Sequence, residues 1–123
     1  MIIGIGTDII EIDRIKKAVS RTDNFLNKLF TKNEIEYFLK KNKASNVIAG
    51  NFAAKEAVSK AIGTGFRKFG LKDIEILRDH FGKPIINISQ KVSEVIGKRN
   101  IVIHVSISHS VENAIAYVVM EEI

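Results

Sequence analysis

A small α+β domain, with a central alanine-rich helix packed on an antiparallel sheet, is the fold class the sequence predicts. Three observations lead there. Segments with period-two apolar alternation are mixed with segments of helical period, without the regular strand–helix–strand order that builds a parallel sheet. One long segment, VIAGNFAAKEAVSKAI, is crowded with small side chains, so other elements can approach it from several sides. The 123 residues, 46% of them apolar, suit one domain over residues 1–123, with a core of its own or one shared between subunits.

Ile2 to Ile10 reads as a strand with two faces. Ile3, Ile5, Thr7 and Ile9 fall on one face, and Ile2, Gly4, Gly6, Asp8 and Ile10 on the other. Glycine inside a strand marks the close approach of a ligand or of another backbone, and both alternatives stand at this point. Glu11 to Ser20 follows as a short helix with Ile12, Ile15 and Val19 inward. Phe25, Leu26, Leu29 and Phe30 repeat at helical spacing. Thr31 and Glu34 match a capping box that opens a helix carrying Ile35, Phe38 and Leu39. Lys40 to Asn46 is a polar connection, and Ser45 or Asn46 is expected to cap the alanine-rich helix, which runs to about Ile62. Gly63 stops it and Thr64-Gly65 continues the turn. Asp73 to Arg78 and Ile85 to Ile88 form a hairpin around His80-Phe81-Gly82-Lys83-Pro84. Ser89 caps a short helix with Val92, Val95 and Ile96 inward and Gly97 at its end. Ile101 to Ser108 alternates as a strand, Ser110 to Asn113 make a turn, and Ala114 to Met120 is the last strand.

The composition narrows the function. Without cysteine there are neither disulfides nor thiolate metal sites. The opening MIIGIGTDIIEID lacks a basic leader and meets acidic residues at once, so it does not read as a signal peptide. No apolar run approaches the ~20 residues of a membrane span. A soluble, cytoplasmic protein is expected. The 19 basic and 14 acidic residues leave a net charge of +5, which suits an anionic partner or simply solubility. Nucleic acid calls for a motif or for exposed aromatics as well, and the chain shows no such motif.

Glu56 and Lys60, four residues apart on the predicted helix, share a face continued by Phe52 and Ala49. A surface pair of this kind, worth ~0.3 kcal/mol, is the plain reading. The functional one draws on the apolar, small-residue surroundings of the pair and on the Gly63-Thr64-Gly65 turn, whose N–H groups suit a phosphate. Asp8 supplies a second carboxylate. Two converging carboxylates invite magnesium, which takes one or two protein carboxylates together with waters and substrate phosphates. Lys60 would then stabilise charge on a transferring phosphoryl group. His109, in SISHS, is by default an exposed turn histidine, and Lys83 a hairpin-turn lysine that can meet a phosphate.

GIGTDIIEIDRI near the start and FAAKEAVSKAIGTG in the middle, followed in order by GKP at 82–84 and SISHS at 106–110, resemble the holo-[acyl-carrier-protein] synthase family, small bacterial phosphopantetheinyl transferases. The resemblance covers nearly the whole chain. It implies transfer of 4′-phosphopantetheine from coenzyme A to a serine of apo acyl carrier protein, with adenosine 3′,5′-bisphosphate leaving, in support of fatty acid biosynthesis. It implies magnesium held by Asp8 and Glu56, Glu56 as the candidate base, and Lys60 at the pyrophosphate. Lys55, Lys60, Thr64, Gly65, Lys83 and His109 fall where the family contacts coenzyme A. Arg14, with Lys17 and Arg21, falls on the docking surface for the acidic carrier protein, which gives the positive charge a use. The family also implies a homotrimer with active sites between subunits, where His109 would come from a neighbour. Two other readings stay open on the residues alone: a basic nucleic-acid-binding module, and a magnesium-dependent nuclease or phosphohydrolase built on the same carboxylates.

Overall fold

A computed structural model describes residues 1–123. The chain runs β1 (Ile2–Glu11), α1 (Ile12–Arg21), α2 (Phe25–Leu29), α3 (Lys32–Lys40), α4 (Ser45–Ile62), β2 (Ile74–Arg78), β3 (Pro84–Ile88), α5 (Gln90–Ile96), β4 (Ile101–His109) and β5 (Asn113–Glu122). Two 3-10 turns, Gly65–Arg67 and Leu71–Asp73, link α4 to β2. β1, β5 and β4 form an antiparallel sheet in that order, and β2 pairs with β3 as a separate antiparallel hairpin. The α+β class is as the sequence predicts.

α4 is the centre of the molecule because its small side chains allow contact all round. Ala53, Ala54, Ala57, Val58 and Ala61 pack with Ala116 and Val118 of β5, Ile74 and Ile76 of β2, and Val92 of α5. Ile48 and Ala49, near its start, join a second cluster with Ile15, Phe30 and Phe38. There the Phe30 and Phe38 rings meet edge to face, 4.9 Å between centroids.

Several local expectations are corrected. The register of β1 on β5 shifts between Ile2 and Gly4, and this bulge turns Ile3 toward the core instead of leaving it on the face of Ile5 and Ile9. Neither Ser45 nor Asn46 caps α4: Ala44 occupies that position and offers no side-chain bond. The polar connection before α4 is shorter than expected and turns through left-handed Asn42 and Lys43. Asp73 belongs to a 3-10 turn, and its carboxylate accepts the Gly70 N–H at 2.8 Å. His109 ends β4 rather than sitting in the turn beyond it.

The capping box of α3 is present, with Thr31 Oγ1 accepting from the Glu34 N–H at 3.2 Å and Glu34 Oε1 accepting from the Thr31 N–H at 3.0 Å. The same Glu34 is fully buried, which the capping role alone does not require.

Candidate active site

The two strand glycines settle what approaches β1. A Cβ on Gly4 would overlap the Ala61 carbonyl oxygen, and one on Gly6 the Ala57 carbonyl oxygen. The strand therefore lies directly on the backbone of α4, and the close approach is that of a helix rather than of a ligand. Asp8, two residues further along the same face, is thereby delivered to α4 beside Glu56 and Lys60. Lys60 Nζ donates to the Thr7 carbonyl at 3.0 Å and to Asp8 Oδ1 at 3.3 Å. Its side chain remains 54% exposed, against 18% for Asp8, so the pair is open to exchange with a ligand.

Glu56 and Asp8 line one cavity of about 500 Å³. Burial pushes the Glu56 carboxyl above the usual carboxylate range, the negative charge of Asp8 pushes it further, and Lys60 opposes both. The rest of the wall is mainly apolar and includes Ile10, Phe25, Leu29, Phe52 and Leu71, while Arg14 of α1 adds a cation. An apolar cavity with a few charged groups at one place is the usual form of a small-molecule or side-chain site.

The other expected residues lie elsewhere on the chain. His109 lines a separate cavity of about 1180 Å³ with Glu11, Asp13 and Lys16, where the Asn46 side-chain amide lies 3.4 Å from its Nε2. Thr64 follows Gly63, whose φ of +96° ends α4, and precedes Gly65 at φ +61°. Its hydroxyl donates to the Gly65 carbonyl at 2.9 Å, and it shares a third cavity with Lys68 and Lys91. Lys83 is exposed in the β2–β3 turn, which Asp79 holds by accepting the Phe81 and Lys83 N–H groups at 2.9 Å each. None of these four lines the Asp8–Glu56 cavity of the same chain. Lys17 and Arg21 are exposed on α1 with Arg14, and Lys17 Nζ sits 2.8 Å from Asp13 Oδ2.

Lys55 requires a correction. The expectation places it in contact with coenzyme A, but its side chain is fully buried. Its Nζ donates to Glu34 Oε1 at 2.6 Å, to the Ile74 carbonyl at 2.6 Å and to the Leu71 carbonyl at 2.9 Å. An ammonium has three donors, so none is left for a phosphate. Burial holds the Lys55 pKa below its ordinary value, with Glu34 pulling the other way. Asn51 completes the set, donating to Glu34 Oε2 at 3.2 Å and to the Ile76 carbonyl at 2.9 Å. The sequence reading missed this network. The signal for it was a lysine directly after Ala53-Ala54 in the central alanine-rich helix.

Comparison with known proteins bears on what this cavity serves. Residues 4–118 match the 4'-phosphopantetheinyl transferase superfamily. The chain is 65% identical over its full length to the holo-[acyl-carrier-protein] synthase of Clostridium beijerinckii, covering all of both proteins. It is 59% identical to that of Clostridium novyi, covering 98% of this chain and 88% of the relative. Among solved structures it resembles a holo-(acyl-carrier-protein) synthase from Bacillus anthracis in complex with CoA (3',5'-ADP), at 42% identity and TM-score 0.80, covering 99% and 97% of the two chains. It also resembles the Helicobacter pylori holo-[acyl-carrier-protein] synthase in complex with coenzyme A, at 38% identity and TM-score 0.83, covering 95% and 99%.

Proposed function

The chain belongs to the 4'-phosphopantetheinyl transferase superfamily, and from that premise we propose that Asp8, Glu56 and Lys60 form its catalytic centre. The enzyme transfers the 4′-phosphopantetheine moiety of coenzyme A to a serine of apo acyl carrier protein and so produces holo-carrier protein. The observation that supports the assignment of the centre is that Asp8 shares a cavity with Glu56 and Arg14 and at the same time accepts a hydrogen bond from Lys60.

In this reading Glu56 takes the proton of the carrier serine. Its carboxyl is raised by burial and by Asp8, so it is a stronger base than an ordinary carboxylate, and it lines the cavity that would receive the serine. The serine oxygen forms a bond to the β-phosphorus of coenzyme A, the bond from that phosphorus to the bridging oxygen breaks, and adenosine 3′,5′-bisphosphate leaves. Lys60 Nζ moves from Asp8 and the Thr7 carbonyl to the phosphoryl oxygens as their charge grows. The apolar wall keeps water from competing with the serine.

Asp8 and Glu56 fit magnesium. Two acidic oxygen donors share one cavity, and the charge of one already disturbs the other with a single half-exposed lysine to balance them. Bound there, the metal would neutralise the pyrophosphate and polarise the phosphorus under attack.

Arg14, Lys17 and Arg21 are the proposed contacts for the acidic carrier. Thr64, Gly65, Lys83 and His109 are proposed for coenzyme A across a subunit boundary, in a homotrimer. Two features support that assembly: these residues do not line the Asp8–Glu56 cavity of their own chain, and the outer sheet face exposes Ile5, Ile9, Ile115 and Tyr117. No helix is long and apolar enough to cross a membrane. We place the reaction in the cytoplasm, in the service of fatty acid biosynthesis.

The test mixes the purified protein with coenzyme A, magnesium and an apo acyl carrier protein and weighs the carrier by mass spectrometry. A gain of one phosphopantetheine is expected, and its loss in Glu56→Gln and in Asp8→Asn. A variant that keeps near wild-type activity would refute the metal and base assignments.

A further inference from the structure

Lys55 sits next to Glu56 in the chain yet has no part in the chemistry above. Two of its three hydrogen bonds go to the connection between α4 and β2. Between α4 and β2 the backbone passes through Gly63, Gly65 and Gly70, with Gly70 and Lys72 exposed and only two three-residue 3-10 turns, Gly65–Arg67 and Leu71–Asp73. Glycine-rich connections with short helical pieces open easily. Within this stretch Lys55 Nζ binds the carbonyls of Leu71 and Ile74, one at each end of the turn, and its charge is balanced by Glu34 from α3. The side chain of Leu71 forms part of the wall of the Asp8–Glu56 cavity, facing the same space as Phe25, Leu29 and Phe52.

We infer that Lys55 is a positioning residue that fixes the Leu71 wall relative to Glu56 and so sets how tightly the cavity holds the serine-bearing segment of the carrier protein. This rests on the transferase reading of the cavity given above. The geometry confines the effect to one substrate. Leu71 belongs to the apolar wall, whereas the coenzyme is assigned to Lys60, Lys83 and His109, which make no bond to the clamped turn, and to Thr64 and Gly65. These last two lie at the other end of the connection, at the Gly65–Arg67 turn and away from the two carbonyls that Lys55 holds. Loosening the wall therefore weakens carrier binding and leaves coenzyme binding alone. The buried charge pair is a means to that end: a lysine reaches two carbonyls and a carboxylate at once, and Glu34 has all four of its contacts, to Thr31, Lys55, Asn51 and Ile76, filled in return.

Steady-state kinetics with each substrate varied in turn tests this on the wild type, Leu71→Ala, the double variant Glu34→Gln/Lys55→Met, and the combination of all three. The double variant removes both charges together, so no buried charge is left alone. The expected result is a KM for apo carrier protein raised about tenfold in the double variant and in Leu71→Ala, with the KM for coenzyme A within about twofold of wild type. The triple variant should be no worse than Leu71→Ala, because both changes act on one wall. An unchanged carrier KM in the folded double variant overturns the inference. Equal rises in both KM values, or effects that multiply in the triple variant, overturn it too. If the double variant fails to fold, Leu71→Ala with its clamp intact decides alone, and a wild-type carrier KM there refutes the role of the wall. A wild type that transfers no phosphopantetheine instead overturns the transferase reading, and the inference falls with it.

Discussion

Helix α4 carries two sets of charges that face different neighbours. Lys55 and Glu34 are both 0% exposed, 2.6 Å apart, with every donor of the ammonium and both oxygens of the carboxylate engaged. One residue and one turn along, Glu56 shares a cavity with Asp8 and Lys60 donates to Asp8; this set is partly exposed and sets two carboxylates against one lysine. The residue types are the same, so composition does not separate them. Satisfaction does: the buried set is closed to any further ligand, and the open set has the unbalanced charge and free space that a metal and a phosphate require.

The sharpest way to break this contrast is to unpair the closed set. Lys55→Met alone leaves Glu34 buried without its cation and should cost about 3–5 kcal/mol in chemical denaturation, whereas Lys60→Met should change stability by less than about 0.5 kcal/mol. Equal effects would erase the distinction. Second, activity should show the reverse order. Glu56→Gln should lower kcat/KM by about a hundredfold or more in the mass-spectrometric transfer assay while the protein stays folded by circular dichroism.

Third, the open set should make stability fall as pH rises. The folded pKa of Glu56 is raised, so the folded protein holds that proton more firmly than the unfolded chain does. Stability from this group is present below the ordinary carboxylate range and declines as pH climbs through the raised value. In metal-free buffer Glu56→Gln should remove the decline, gaining less than about 1 kcal/mol at neutral pH and nothing at pH below the ordinary range, as read from Tm at both. An identical pH profile in the two proteins would show that Asp8 and burial do not disturb Glu56. The smallest effect concerns α1. Asp13→Asn releases Lys17 from an exposed pair and should lower the KM for the acidic carrier slightly at low salt, with no change once salt screens the surface.

Much of this was legible beforehand because it rests on local rules. The alternation of Ile101–Ile107, the Thr31–Glu34 capping box and the stop at Gly63 depend on neighbours in the chain, and each element formed where those rules placed it. The face shared by Glu56 and Lys60 follows from helical spacing in the same way. What local rules could not supply was the partner across space. Glycines at 4 and 6 announced a close approach without saying to what, and only packing identified the α4 backbone. The motif around Lys55 points to coenzyme A, while its burial depends on α3, Leu71 and Ile74, residues 16 to 21 positions away. The inward turn of Ile3 needed a register shift that simple alternation does not encode.

The seam where Gly4 and Gly6 rest on the carbonyls of Ala57 and Ala61 has a consequence for how this protein can change over evolutionary time. Backbone stands on backbone there, so the gap between Asp8 and Glu56 is set like a gauge block, independent of how the large side chains around it are chosen. Valines and isoleucines elsewhere in the core are free to drift, trading bulk among themselves, without moving the two carboxylates apart. The freedom is uneven: a single methyl group on either glycine would collide with the α4 backbone and displace the strand, and the spacing of the two carboxylates with it.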